Sequence, residues 1–164
     1  MFEKQLSLPH LIEEYLEFRL ERAEFQGAEF FVIKQDGHLL FKSLKSSSAA
    51  AIGALCAGAW QAASAISGFF TQPTDGVFRL SFDQPGCGIY VIPLTANSYD
   101  LYMGVLFENV DNPGKLKNKV RTLSVELMIY LEEKQITEAP ETSKRDEFLF
   151  KDISDDEIDS LFSI

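Results

Sequence analysis

The sequence predicts one α/β (α+β) domain, a five-stranded antiparallel sheet in the order α-β-β-α-β-β-β-α with helices on both faces. Three observations carry this. Apolar residues recur at helical spacing in three stretches, near 8–24, 49–69 and 113–134. Between them the period shortens to two, the alternation of strands with one face on a core. Asp36-Gly37 and Pro85-Gly86 interrupt the strand runs where hairpins need turns. The 164 residues suit a single domain, and 46% hydrophobic against 24% charged residues is enough for a packed core.

Ser7 stands as cap of a first helix running to about Glu24, with Pro9 tolerated in its first turn. Leu8, Ile12, Tyr15, Leu16 and Ala23 supply its apolar face. Strands Ala28–Gln35 and His38–Lys42 flank Asp36-Gly37. Ser46, Ser47 and Ser48 offer caps for a second helix, about Ala49 to Phe69, whose stripe is Ile52, Leu55, Cys56, Ala59, Trp60, Ala63 and Ile66. Gly53 and Gly58 each weaken a helix by about 1 kcal/mol relative to Ala. Their use is close backbone approach, to the sheet or to a second copy of the helix.

In Val77–Asp83, Phe78, Leu80 and Phe82 share one face, which predicts a half-buried strand. Cys87–Leu94 follows, and Pro93 places its end at an edge or bulge. Tyr99–Phe107 is apolar on both faces and belongs at the sheet's centre. Asn112 caps a third helix with Pro113 at its first position. Leu116, Val120, Leu123, Leu127, Tyr130 and Leu131 form its core face, and Lys115, Lys117, Lys119 and Arg121 a basic solvent face.

The net charge of −10 argues against nucleic acid and against anionic membrane surfaces. Cys56 and Cys87 make no disulfide framework, which points to a cytoplasmic protein. Glu13, Glu14 and Glu17 exclude the apolar core of a signal peptide. From Ser46 to Thr74 no residue is charged, but Ala, Ser and Gly dominate, so a buried helix is expected there rather than membrane insertion.

The element order and local residues resemble the Roadblock/dynein-light-chain family over roughly Ser7 to Lys134. The carriers are Gly27-Ala28-Glu29-Phe30-Phe31-Val32-Ile33 leading into Asp36-Gly37, the Ala-rich helix Ala49–Ile66, and Asn112-Pro113-Gly114-Lys115-Leu116. Pro113 and the aromatic first strand depart from the family pattern. Profilin-like, longin, PAS and GAF domains share the sheet-plus-helices plan and stay open as fold alternatives.

The resemblance implies a regulator and not an enzyme. Family members form homodimers or heterodimers through the second helix and the neighbouring strand, here Ala49–Phe69 and Val77–Asp83. Ile52, Leu55, Ala59, Ala63, Val77 and Arg79 are the implied interface residues. Bacterial relatives bind a small Ras-like GTPase of gliding and polarity systems and stimulate hydrolysis without lending an arginine. Others act as scaffolds. A location in the cytoplasm, with recruitment to a cell pole, follows from the same resemblance.

No enzyme constellation accompanies it. His10 and His38 read as structural, no Gly-rich phosphate loop is present, and Cys56 reads as a small buried hydrophobe. Asp155-Asp156-Glu157 lacks the interleaved ligands and Gly of a calcium loop. No catalytic residue, cofactor or metal is expected. Arg79 and Arg121 read as solvated charges.

Residues 1–134 carry a net charge of −4 and residues 135–164 carry −6, which predicts a compact domain and a flexible acidic tail. Within the tail, 152–164 holds a short helical motif. Ser154 and Glu157 form a capping box, and Ile153 and Ile158 a hydrophobic staple. Ile158, Leu161 and Phe162 share one face, and such a helix is too short to stand alone in water. Folding against a groove is its expected use. Ile153–Phe162 resembles the segment of the flagellar switch protein that binds a response regulator, through Ser154, Glu157-Ile158-Asp159 and Leu161. The tail partner is therefore expected to be a receiver domain or a polarity scaffold, with the GTPase or the chain's own domain as competing docking sites.

Overall fold

The computed structural model describes residues 7–43, 48–70, 78–96 and 99–137. The elements are α1 (Leu8–Leu20), β1 (Ala28–Lys34), β2 (Leu39–Lys42), α2 (Ala49–Ser67), β3 (Leu80–Gln84), β4 (Cys87–Ala96), β5 (Tyr99–Phe107) and α3 (Pro113–Thr137). The five strands form one antiparallel sheet in the spatial order β2-β1-β5-β4-β3. The element order is the one the sequence predicts, and β5 is central. A strand apolar on both faces needs a cover on both, and β5 has it.

One face carries the larger core. Phe30 and Val32 of β1, Tyr90, Ile92 and Leu94 of β4, and Met103, Val105 and Phe107 of β5 pack against Leu11, Ile12 and Leu16 of α1 and Val120, Leu123, Leu127 and Leu131 of α3. The opposite face is covered by α2 through a smaller cluster of Phe31, Ile33, Val91 and Tyr102 with Ala49, Cys56 and Ala57. Helices thus lie on both faces, but α2 lies over the β1–β2 side.

Several local expectations are corrected. α1 ends at Leu20, and a separate turn of 3-10 helix, Ala23–Phe25, follows. The break turns Phe25 inward, edge-on to Phe30 with ring centroids 5.3 Å apart, and leaves Ala23 exposed. Ser7 starts α1 without a side-chain cap; its carbonyl accepts from the Leu11 N–H. The first hairpin uses four residues between its strands. Gly37 at φ 85° turns the chain, and Asp36 Oδ1 accepts from the His38 N–H at 2.9 Å. Asn112 does cap α3: its Oδ1 accepts from the Lys115 N–H at 2.9 Å. α3 continues to Thr137, into the start of the segment expected to be a flexible tail. Pro93 lies in β4 beyond the last β3 pair, Leu80 opposite Val91, so its missing N–H falls where β3 no longer pairs.

Candidate interaction surface

The site begins with a helix that has too little to bury. Of α2, only Ala49, Gly53, Cys56 and Ala57 are buried. Gly53 is there by necessity, because a Cβ on it would stand 3.1 Å from Ile33 and 3.2 Å from the Gly37 carbonyl oxygen. Gly58 lies on the other side, where a Cβ would meet nothing within 4 Å. Trp60 reaches the sheet, its ring 4.8 Å from that of Tyr102. The expected stripe therefore divides. Cys56, with Ile52 and Trp60 partly buried, faces the sheet. Leu55 is 74% exposed, and Ala59 and Ile66 also face outward. The helix is long and apolar enough to cross a membrane by length and composition, yet here one face holds it on a sheet.

β3 completes the surface. It is the edge strand beside β4, and its residues alternate between the two faces. Leu80 and Phe82 stand opposite Val91 and Ile89, on the α2 side of the sheet. α2 does not reach that far, and Phe82 is 81% exposed. The half-buried strand expected from the alternation is therefore corrected: among the described residues nothing covers Phe82. Phe69, Phe70 and Phe78 are also exposed, with the Phe70 and Phe78 rings stacked at 6.1 Å. These aromatics escaped the site reading. The alternation had marked Phe78 and Phe82 as apolar, but not as uncovered.

Between α2 and β3 a small cavity of about 90 Å³ is lined by Trp60, Ala63, Ser64, Phe78, Arg79 and Leu80. Ala63 and Arg79, two of the named residues, thus come together there, beside exposed Ala59 one turn away. Ile52 sits apart, against the sheet. Val77 and the tail residues Ile153, Ser154, Glu157, Ile158, Asp159, Leu161 and Phe162 lie outside the described residues.

The reverse side of β3 is polar. Ser81 and Asp83 point to α3, where Lys117 Nζ donates to Ser81 Oγ at 2.8 Å and to Asp83 Oδ2 at 2.9 Å. These bonds, Lys117's first and then that from Ser81, hold the Asp83 carboxyl below the usual carboxylate range. Arg121 Nε donates to the Tyr90 hydroxyl at 2.9 Å, and Lys119 pairs with Glu24 at 3.1 Å. The basic face expected to be solvated is thus corrected: three of its four cations tie α3 to β3, β4 and the turn after α1. Arg121 likewise is not a plain solvated charge.

Little here suits chemistry. His10 and His38 are exposed, and the His10 imidazole lies 4.0 Å from Glu13. Burial pushes the Cys56 thiol upward, as for a structural cysteine. No group of three or more metal-ligating side chains occurs among the described residues. An uncharged helix flank beside an apolar edge strand is a surface for binding protein.

A five-stranded sheet with α2 on one face and α1 and α3 on the other is the Roadblock-type fold, and the comparisons agree. The chain is similar to MglB with a tetrameric arrangement, at 18% identity and TM-score 0.59 over 78% of this chain and 93% of that one. It is similar to the gliding protein MglB from Thermus thermophilus, at 20% identity and TM-score 0.59 over 77% and 93%. It is similar to a Roadblock/LC7 domain from Streptomyces avermitilis, at 18% identity and TM-score 0.53 over 66% and 91%. No family model and no curated protein sequence matches the chain.

Proposed function

We propose that the chain is a non-enzymatic regulator of a small Ras-like GTPase and works as a homodimer built on α2 and β3. The observation that carries this is exposed apolar surface on both elements, Leu55 and Ile66 on α2 and Phe82 on β3, with a small cavity lined by both between them. Such a surface on a small domain calls for a partner. A second copy suits it, because β3 is the edge strand among the described residues and the same strand of a second copy can meet it. Oligomeric MglB, similar in fold, supports self-association, and the gliding protein supports a motility role. The GTPase partner follows from the family resemblance.

Residues 1–134 are the regulating domain in this reading, and the acidic segment 152–164 recruits a second protein, a receiver domain or a polarity scaffold. Light scattering on the full chain tests the dimer: a mass near twice 18.4 kDa is expected, and a monomer at high concentration overturns it. Capture of a GTP-loaded Ras-like GTPase by a chain lacking 152–164 tests the domain's role. A hydrolysis assay then separates an activator, which speeds turnover, from an adaptor, which does not.

A further inference from the structure

We propose that Lys117 is a positioning residue that clasps the edge strand β3 to α3 and so holds it ready to pair with a second copy of the chain. The inference rests on the dimer reading above and adds what prepares its edge.

β3 is five residues long and none of them is buried. Among the described residues its backbone pairs with β4 alone. On the open side Leu80 packs only partly on the cluster under α2, and Phe82 is exposed. On the α3 side only Ser81 and Asp83 are available, and Lys117 bonds both. Ser81 Oγ also donates to Asp83 Oδ1 at 2.9 Å, so the three groups close on one another. The clasp is itself well seated. The Lys117 side chain is only 18% exposed, and its Nζ lies 5.8 Å from the centre of the Tyr90 ring, whose hydroxyl Arg121 holds. Tyr90 in turn stands opposite Ser81 in the ladder. Gly88 faces Asp83 across the same ladder, and a Cβ on it would collide with the Asp83 backbone.

An edge strand whose one apolar anchor, Leu80 at its first position, is only partly buried opens locally at small cost. A partner that must first order it loses affinity by that amount. Among the described residues, Lys117 makes the only side-chain bonds from a helix to β3, so the ordering falls to it.

The test uses the full chain as wild type, Lys117→Met, Lys117→Arg and Asp83→Asn. Amide exchange is followed at a dilution where each is monomeric, and dimer dissociation is followed by sedimentation over a concentration series. In Lys117→Met and Asp83→Asn, protection of the Leu80–Gln84 amides is expected to fall while β1 and β5 keep theirs. The dissociation constant is expected to rise about tenfold, since both copies lose the clasp. Lys117→Arg should restore both readouts. Unchanged β3 protection in Lys117→Met and Asp83→Asn overturns the clasp whatever the assembly state. Lost protection with an unchanged dissociation constant overturns its link to pairing. A monomeric wild type overturns the dimer reading instead, and β3 protection still decides the clasp.

Discussion

The outer edge of the Phe31 ring occupies the space that a side chain on Gly104 would need. The two residues are cross-strand partners of β1 and β5, and Phe31 is fully buried beneath α2. The glycine at the centre of the central strand is therefore a packing partner. Gly104→Ala is expected to cost about 1–3 kcal/mol by overpacking. Phe31→Leu should relieve part of that loss when the two are combined. Urea unfolding of both single variants and the double variant checks it; additive losses would show that the ring and the glycine are independent.

Leu55 stands 74% exposed on the flank of α2 turned away from the sheet. Leu55→Asp is expected to leave the domain's unfolding free energy within about 0.5 kcal/mol, the range for surface positions. In the same variant the mass in solution should drop from twice 18.4 kDa to 18.4 kDa. A dimer that survives the new charge would place the interface elsewhere.

The Asp83 carboxyl is held low by Lys117 and Ser81. Lys117 of α3 and Ser81 of its own strand bond it, and the Tyr90 ring of β4 lies beside the Lys117 ammonium. A carboxyl whose folded value is depressed contributes fully above its unfolded value and loses that contribution as pH falls through the folded one. The clasp is therefore expected to be intact at neutral pH and to open only below the ordinary carboxylate range. A carbon-13 titration of Asp83 by NMR should show a midpoint below the usual value of about 3.9. Lys117→Met should move it up toward that value, the Ser81 bond still holding it down in part.

Among the described residues, Asn112 is the one expected helix cap whose side-chain bond forms. Asn112→Ala is expected to destabilise the domain by about 1 kcal/mol, while Asn112→Asp should be nearly neutral. Thermal unfolding of the two variants separates loss of the cap from loss of bulk.

Much of the fold was legible because its signals are local. Asp36-Gly37 and Pro85-Gly86 set turns, Asn112-Pro113 starts α3, and the doubly apolar Tyr99–Phe107 announces the strand at the centre. α1 stopped early for a reason that periodicity does not contain. After the break Phe25 is buried edge-on to Phe30 of β1, a contact with a strand and not with the helix's own face.

The sequence by itself determined the elements, their order, and that α2 and β3 carry apolar faces. Periodicity reports that a face is apolar, and it is silent on what covers it. Only the tertiary structure decided that. By setting β3 at the far edge of the sheet and α2 over β1 and β2, the fold buries Phe31 and Tyr102 and leaves Phe82 and Leu55 open. It likewise took four like charges on α3, which repel in sequence, and gave three of them partners from distant strands and turns. The reason is the same in both cases: burial and charge pairing depend on neighbours far along the chain, and those neighbours exist only once the sheet has formed.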